Sequence, residues 1–539
     1  MGRSNQQLVW HLIVLLILGC LLFFYNIGNR AIWSPDEDEY ALVNREMVED
    51  GHWIFPTANG KPYSIKPPLF NWIGSSVSVL YGEVNEFTSR IPSAVAGLAG
   101  VITLYFLGVL LFGARAGFLS ALVLATCFLY INFARWIQIN MLSTFFLILT
   151  FLLFYWGYTN EQKRRWAYLL MYIPMGLGTL NMGPVNVVMP AIVIFFYLLM
   201  VRDLKQIFRL RLGWGILIYL MVVLPWYLAV SLKGDYAGNI LITTNLTRFF
   251  SSSWGHVQPF YYYVLTLPGN FLPWTLFLPG AVFLCVSQHV REERIKLLFP
   301  IVWAVSLFVF FSLSQCKRSE YILPLFPALA LLVGFFFHKS IDWWNDSIVW
   351  RRWIIWPTYL LVALLFISAV GLPVYCMITS PDWTSTVIPL SLILLILGSS
   401  IIVFLRKGQI FLTVVAIGVL LTGMVVYASG PVFSRANGYK STRSFCLRVK
   451  ERIPENTTLK MYGYYRPAYA FYADRFVEYT EDPATLLSWF TTETPQYVVM
   501  KEKDFARIKD SFPLTLYLID EWEGYRHMVL VSNQSETDV

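Results

Sequence analysis

Charged residues are scarce in this sequence of 539 residues. Asp, Glu, Lys and Arg make up 14% of it, whereas soluble globular proteins carry about 25%. The six cysteines include no C-x-x-C pair, so neither a disulfide framework nor a zinc ribbon is predicted. No internal repeat is visible, which argues against a solenoid. Hydrophobic residues make up 57% and aromatic residues 17%, a composition typical of an integral membrane protein.

Long apolar runs account for that hydrophobicity. A helix needs about 20 apolar residues to cross the hydrocarbon core, and the sequence contains about thirteen such runs. Although residues 17–20 faintly resemble a lipoprotein cleavage site, the first run continues through Phe24, so we expect an uncleaved span. We therefore predict an all-α polytopic membrane protein. The runs lie near residues 8–25, 91–112, 114–133, 140–158, 167–182, 184–200, 213–231, 261–288, 298–314, 321–338, 353–378, 386–405 and 409–429.

The net charge of +8 reflects membrane topology. The positive-inside rule assigns the basic loops and the N-terminus to the cytoplasm, and an odd number of spans then leaves the C-terminus outside. Basic residues distributed in this way do not indicate a nucleic-acid partner. The basic loops are 163–165, 202–211, 291–296, 351–352 and 406–407.

Two regions outside the spans are large. The first external loop, 26–90, contains apolar residues at helical spacing, which indicates a helix lying in the membrane interface. The tail, 430–539, is richer in charge and contains strand-like runs. We expect a transmembrane domain over 1–429 and a small external α/β domain over 430–539. The apolar residues of the loop helix are Leu69, Trp72, Ile73, Val77 and Leu80.

Four consecutive carboxylates, at residues 36–39, follow the first predicted span. Like charges this close raise one another's pKa, which allows one of them to act as a base near neutral pH. The alternative is a solvated acidic turn that caps the next helix.

Several cations are predicted on the same external side. Lys66 precedes two prolines and suits an ammonium that contacts the phosphate of a membrane-borne substrate; the alternative is lysine snorkelling. Lys317 and Arg318 lie on the outer face against the positive-inside bias. Phosphate binding explains such a pair, and a loop too short for the bias to matter is the alternative.

Two further external loops add polar groups. One contains Arg135, Gln138 and Asn140. The other spans 248–263 and contains His256, which can be a metal ligand, a base or an ordinary loop histidine. Carboxylates and cations on one membrane face are what transfer from an anionic lipid donor requires, because a base activates the acceptor and cations stabilise the departing phosphate.

The same residues resemble those of a known family. The matches resemble the lipid A aminoarabinose transferases, which belong with the protein O-mannosyltransferases to the GT-C class of membrane glycosyltransferases. They cover most of the first 340 residues. The matching segments are 33–41, 45–47, 51–53, 59–63, 66–69, 90–93, 183–184, 225–227, 259–262, 273–274, 317–318, Tyr321 and Pro324.

The resemblance implies inverting transfer of a sugar from a polyprenyl-phosphate carrier, on the periplasmic face of a bacterial inner membrane. The acceptor implied is lipid A or another envelope glycan or protein, and the sugar is 4-amino-4-deoxy-L-arabinose or a related one. Asp36 corresponds to the catalytic carboxylate, with Glu37 beside it. Donor phosphate binding is assigned to Lys66, Arg135, Lys317, Arg318 and Tyr321, and a possible divalent metal to His256.

Four positions depart from the family pattern. Glu39 replaces an arginine, Ile65 a glutamate, Asn140 an aspartate and Met182 a lysine. The loss of two carboxylates weakens a metal site at His256, and the donor sugar and acceptor can differ from those of the family. The alternatives are an enzyme like the protein O-mannosyltransferases, an inactive relative, a transporter or flippase, and a non-catalytic envelope assembly protein.

Overall fold

The computed structural model describes residues 2–33, 35–232, 256–346, 348–454, 457–509 and 512–535. These residues form a largely helical protein with a small mixed sheet near the C-terminus. The predicted fold class, a polytopic helical membrane protein with a C-terminal α/β domain, is confirmed.

The α-helices and the strands of the described residues are each numbered in chain order. The α-helices are α1 (Gly2–Gly19), α2 (Pro35–Glu49), α3 (Leu69–Tyr81), α4 (Glu86–Phe112), α5 (Ala114–Ala125), α6 (Phe128–Ala134), α7 (Ile139–Thr159), α8 (Arg164–Leu170), α9 (Tyr172–Met182), α10 (Val185–Met200), α11 (Gln206–Arg209), α12 (Leu212–Ser231), α13 (Tyr262–Asn270), α14 (Leu278–Val286), α15 (Arg294–Leu313), α16 (Phe326–Asp342), α17 (Ile348–Thr379), α18 (Thr384–Arg406), α19 (Ile410–Tyr427), α20 (Phe433–Lys440), α21 (Arg443–Arg452), α22 (Pro467–Ala473), α23 (Pro483–Phe490) and α24 (Glu502–Ile508). The strands are β1 (Thr57–Ala58), β2 (Lys61–Pro62), β3 (Leu459–Tyr462), β4 (Val477–Thr480), β5 (Tyr497–Lys501), β6 (Tyr517–Glu523) and β7 (His527–Ser532).

The described residues do not confirm the predicted number of spans. In the described part of the chain, nine helical segments are long and apolar enough to cross a membrane, or up to eleven if each of two bent helix pairs forms one span. The expected thirteen is therefore not confirmed. The run predicted near 167–182 forms the end of α8 and the whole of α9. The run predicted near 184–200 forms α10, which has 16 residues, fewer than the about 20 residues of a straight crossing.

The chain divides into two compact units. The first unit consists of Met1–Asn26, Ser64–Phe70 and Arg90–Ala428. In it, α4 and α5 approach closely, since a Cβ atom on Gly108 would lie 2.6 Å from the Cα atom of Gly117. Small residues at such crossings allow membrane helices to pack backbone against backbone.

The second unit joins the first external loop to the tail. It consists of Ile27–Tyr63, Asn71–Ser89 and Ser429–Val539. Its five-stranded sheet has the order β4-β3-β5-β7-β6. Strand β3 is parallel to β4 and β5, whereas the β5–β7 and β7–β6 pairs are antiparallel. Buried residues of α23, β5 and β7 form the hydrophobic core beside the sheet: Leu486, Phe490, Val498, Met500, Val529 and Val531.

A short hairpin of the first loop completes the edge of this sheet. Asn59 and Gly60 form the two-residue turn between β1 and β2, and both have positive φ, which these two residue types tolerate. The side-chain amide of Asn59 donates to the carbonyl of Val477 at 2.7 Å and accepts from its N–H at 2.8 Å. Asn59 thereby satisfies backbone groups of edge strand β4.

The helix predicted at the membrane interface is α3, and its existence is confirmed. Its small and polar residues Asn71, Ser75 and Ser78 are buried, and the amide of Asn71 donates to Asn44 of α2 at 2.7 Å. Leu80, in contrast, is 89% exposed. A helix whose apolar residues face outward is typical of one that contacts lipid.

Candidate active site

The acidic run begins helix α2. Pro35 occupies the first helical position, which suits proline. Asp36, Glu37 and Asp38 follow in the first turn, where the helix dipole favours negative charge. Asp36 and Glu39 are half-buried, whereas Glu37 is 1% and Asp38 0% exposed. The alternative of a solvated acidic turn is therefore wrong, because two of the four carboxylates are buried.

Glu37 is held by an arginine from the preceding turn. Nη2 of Arg30 donates to Oε1 of Glu37 at 2.6 Å, and both side chains are buried. The same guanidinium lies over the ring of Trp33, 5.1 Å from its centroid. A buried charge with a partner this close is fixed in position, which favours a supporting role for Glu37 beside Asp36.

Asp38 is bound by an arginine of the tail. Nε and Nη2 of Arg466 lie 2.9 and 2.8 Å from Oδ2 of Asp38. Nη2 also donates to the carbonyl of Trp33 at 3.0 Å, and Nη1 donates to the hydroxyl of Tyr525 at 3.1 Å. One guanidinium therefore connects the start of α2, the turn before it and the β6–β7 connection. Arg466 was not predicted, because nothing in the sequence near it forms a motif.

The environment of Asp38 sets its protonation near neutral pH. The pKa of Asp38 is raised to about 7, mainly because burial removes the carboxylate from water. Arg466 opposes this rise by attraction and hydrogen bonding, a backbone hydrogen bond from Ala468 opposes it too, and the charge of Glu39 adds to it. The charge on Asp38 therefore depends on Arg466.

Helix α22 of the tail contacts the chain on both sides of the carboxylate turn, residues 36–39. Nη1 of Arg45 donates to the carbonyls of Ala470 and Phe471 at 2.8 and 2.7 Å. The hydroxyl of Tyr472 accepts from the N–H of Ile32 at 2.8 Å. Residues before α2 and within it are thus held by the same short helix.

Two of the predicted phosphate ligands, Lys66 and Arg135, belong to the first unit. Lys66 is half-buried in the turn before α3. Arg135 follows α6 and is 6% exposed, and its guanidinium donates to the carbonyls of Leu22 and Tyr25 at 2.7 and 2.9 Å. These carbonyls end the first span and lack partners within a helix. Arg135 therefore stabilises a helix end.

The cationic pair of the first unit, Lys317 and Arg318, is bound by other groups of the protein. The ammonium of Lys317 is 5% exposed and donates to the carbonyls of Gln258, at 3.0 Å, and Ser314. Burial lowers the pKa of Lys317. Arg318 forms an ion pair with Glu320. Tyr321, the last of the predicted phosphate ligands, is half-buried in the 3₁₀ segment that follows.

We expect Lys317→Met to lower the midpoint of thermal unfolding in detergent. Two carbonyls lose a charged donor, and unsatisfied buried groups cost about 1–3 kcal/mol each. The matched control is Lys296→Met, because Lys296 is exposed and its replacement should leave the midpoint unchanged. Equal midpoints for the two variants would show that the carbonyl contacts of Lys317 do not stabilise the protein.

His256 lies beside this cationic pair. It is exposed, and its carbonyl accepts from the N–H of Lys317 at 3.1 Å. The first part of its predicted loop, 248–255, lies outside the described residues. Among the residues that the structure describes, two groups of at least three side chains could hold a metal ion, Glu46–Asp50–His52 and Glu521–Glu523–His527. Neither contains His256, so its metal role stays a prediction.

The structure groups the predicted site residues in two sets. Asp36 and Glu37 lie together in the second unit, whereas the predicted cations and His256 lie in the first. Within the first unit, the N–H of Lys317 bonds to His256, and the hydroxyl of Tyr263 donates to the carbonyl of Arg318 at 3.1 Å. His256, Lys317 and Arg318 therefore form one local cluster.

The sequence is similar to those of several known proteins. Residues 65–228 match the family model described as dolichyl-phosphate-mannose-protein mannosyltransferase. An uncharacterized protein from Aquifex aeolicus is 29% identical over 86% of this chain and 87% of its own length. Undecaprenyl phosphate-α-4-amino-4-deoxy-L-arabinose arabinosyl transferases from Shewanella sediminis and Aeromonas hydrophila are 30% and 32% identical over 58% of this chain. The alignments cover 57% and 58% of those two relatives.

Solved structures extend the likeness to nearly the whole chain. A crystal structure of ArnT from Cupriavidus metallidurans bound to undecaprenyl phosphate superposes with a TM-score of 0.82 and 20% identity, covering 97% of this chain and 98% of that one. The archaeal oligosaccharyltransferase AglB from Archaeoglobus fulgidus superposes with a TM-score of 0.55 and 13% identity, over 93% of this chain and 70% of that one. The chain therefore has the GT-C fold, and its sequence is similar to those of the aminoarabinose transferases over 58% of its length.

Proposed function

We propose that this protein transfers a sugar from a polyprenyl-phosphate donor to an acceptor of the bacterial envelope. The observation that carries the proposal is the carboxylate turn at the start of α2, where half-buried Asp36 precedes Glu37 and Asp38, the buried partners of Arg30 and Arg466. Related proteins whose names specify undecaprenyl-phosphate-linked aminoarabinose support the donor class. The multi-pass helices place the chain in a membrane, and we propose the inner membrane with the active site on its periplasmic face.

In the proposed reaction, Asp36 acts as the general base. It accepts the proton of the acceptor hydroxyl while the hydroxyl oxygen attacks the anomeric carbon of the sugar. The bond between that carbon and the phosphate oxygen breaks, and polyprenyl phosphate leaves with the electron pair. Attack opposite the leaving group inverts the anomeric configuration. Glu37 and Asp38 fix the turn that presents Asp36.

The cations are proposed to bind the donor phosphate. Lys66, Arg135 and Lys317 are the first three of the proposed ligands. Arg318 and Tyr321 complete the proposed set. A cation that neutralises the departing phosphate lowers the barrier for bond cleavage. A divalent ion near His256 would supply the same stabilisation.

The identities of the donor sugar and of the acceptor are also proposed. We favour aminoarabinose or a related sugar and lipid A, with a protein acceptor as the alternative, as the name of the matching family model suggests. Neutral residues occupy two positions where the family carries charge. Asn140 donates to the side chain of Gln138 at 2.9 Å, and the sulfur of Met182 accepts from Ser143 at 3.7 Å. Because these contacts are neutral, a related sugar is the alternative to aminoarabinose.

The test is a transfer assay with the purified full-length protein. Polyprenyl-phosphate donors carrying aminoarabinose, mannose or other common sugars are incubated with lipid A or with envelope protein. Mass spectrometry then follows the release of polyprenyl phosphate and the gain in acceptor mass. If no donor is consumed in any combination, the proposed function is wrong.

Lys66→Ala is expected to raise the KM for the donor about 10- to 100-fold, because charge-assisted bonds to phosphate contribute about 1.5–3 kcal/mol. The kcat and the unfolding midpoint should change much less. The matched control is Lys61→Ala, at an exposed lysine of β2, which should leave the KM unchanged. A donor KM that is the same in both variants would contradict the phosphate role of Lys66.

A further inference from the structure

A polar cleft lies in the first unit, between the segment that follows α7 and the segment that leads into α12. Its volume is about 710 Å³. Four arginines and one glutamate line it, together with apolar residues: Arg164, Arg165, Arg209, Arg211, Glu161, Ile207, Phe208, Leu212 and Trp214. No part of the proposed reaction uses these residues.

The cleft lies far from the predicted phosphate ligands of the same unit. Helix α7 runs from Ile139 to Thr159, and its 21 residues span about 30 Å. Arg135, one of those predicted ligands, lies four residues before its beginning, whereas Glu161 lies two residues after its end. The cleft therefore belongs to the opposite end of this span, which the positive-inside rule assigns to the cytoplasm.

The charges of the cleft are unbalanced in favour of an anion. Nη1 of Arg164 donates to Glu161 at 3.1 Å, so the single carboxylate of the lining is already paired. Arg209 and Arg211 are exposed, and like charges gathered around one cleft repel each other unless an anion lies between them. Guanidinium groups bind phosphate oxygens in a bidentate manner, which makes phosphate the anion of choice.

The apolar part of the lining indicates where that phosphate comes from. Phe208 is 89% and Trp214 64% exposed, and Trp214 lies in the first turn of α12, a helix long enough to cross the membrane. Tryptophan at the end of a span is typical of the membrane interface. A soluble phosphate makes no contact that requires this apolar surface. A phospholipid, in contrast, can pack its acyl chains against it.

We propose that this cleft binds the headgroup phosphate of an anionic phospholipid, with its acyl chains against Phe208, Leu212 and Trp214. Basic pockets between membrane helices on the cytoplasmic side bind anionic headgroups in this manner. The site is independent of the proposed sugar transfer, and its ligand is a component of the bilayer and not the donor.

The test is native mass spectrometry of the full-length protein in detergent, titrated with phosphatidylglycerol or with phosphatidylcholine. The double variant Arg209→Gln/Arg211→Gln is expected to lose at least about tenfold in affinity for phosphatidylglycerol, since each basic residue at a membrane surface contributes about 1 kcal/mol. The control is Arg406→Gln/Lys407→Gln, which removes two exposed charges from another basic loop and should leave the affinity unchanged. Equal losses in both double variants, or none in the cleft variant, would overturn the proposal.

Two further experiments distinguish a lipid phosphate from a soluble phosphate. They also make the test independent of the arginine double variant. Phe208→Ser should weaken phosphatidylglycerol binding without changing charge, whereas Leu232→Ser, at an 88% exposed leucine beyond the other end of α12, should not. Glycerol phosphate at millimolar concentration should fail to displace the lipid. Displacement by glycerol phosphate with no effect of Phe208→Ser would identify a soluble phosphate site and overturn the lipid proposal.

Discussion

Asp36→Asn is expected to abolish sugar transfer while the protein remains folded. The amide has the size of the carboxylate but cannot accept a proton, and loss of a general base reduces rates by about 10²- to 10⁴-fold. Asp36 lies in the first turn of α2 and is half-buried, so the substitution leaves no cavity. The measurement is turnover of the polyprenyl-phosphate donor by purified protein, together with the unfolding midpoint.

A carboxylate just beyond the other end of α2 supplies the control for this variant. Asp50 follows the last residue of the helix and is exposed. Asp50→Asn makes the same chemical change in the same unit and should retain full turnover. Wild-type turnover in Asp36→Asn would eliminate Asp36 as the base and would leave the proposed reaction without its central group.

The same substitution identifies the acceptor in cells. Lipid A and envelope glycans from cells that carry Asp36→Asn are compared by mass spectrometry with those from wild-type cells. A sugar mass missing from one species in the variant names both the acceptor and the class of donor sugar. If every lipid and glycan is unchanged, the protein acceptor becomes the leading alternative.

The helices could be predicted because the membrane imposes a length on them. Apolar runs of about 20 residues are needed to cross the hydrocarbon core, and the predicted runs correspond to helices in the described residues. The count of thirteen is not confirmed, because hydropathy does not distinguish a full span from a short helix such as α9, where Tyr172, Gly176 and Leu180 are buried.

The site could be predicted only where its residues are adjacent in sequence. Asp36 and Glu37 belong to one contiguous motif, so their common location follows from the sequence. Arg466 binds Asp38 across 428 positions, and no periodicity or motif records such a contact. Arg135 and Lys317 were predicted from charge alone, which does not reveal that their partners are carbonyl oxygens.

Arg466→Gln is expected to reduce kcat about 10- to 100-fold, with a smaller change in the donor KM. Asp38 is 0% exposed and its Oδ2 is bound by this guanidinium. Removal of one partner of a buried ion pair costs about 3–5 kcal/mol. Asp38 stands two positions after Asp36 in the same helical turn, so its displacement moves the base, and misplacement by about 1 Å can cost about 10²-fold.

The pH dependence of turnover distinguishes a positioning role from plain stability. The pKa of Asp38 is about 7, because burial raises it by more than Arg466 lowers it. Without the guanidinium this pKa rises, so Asp38 becomes protonated at neutral pH and the acidic limb of the rate profile moves to higher pH. Arg466→Lys keeps a cation and should restore part of kcat. A variant that lowers only the unfolding midpoint would contradict the positioning role.

A double-mutant cycle measures whether the two charges act on each other. Asp38→Asn combined with Arg466→Gln leaves neither charge buried alone, so the double variant should be less impaired than the two single effects together predict. The ion pair of Arg448 is the control, tested with Arg448→Gln. Arg448 binds Asp520 at 2.8 Å in the same unit, and its side chain is 40% exposed. An ion pair at an exposed position contributes about 0–1 kcal/mol. Non-additivity at Asp38 and none at Arg448 would mean that the tail sets the geometry of the carboxylate turn. Additive effects would leave Arg466 as a structural residue of the sheet domain.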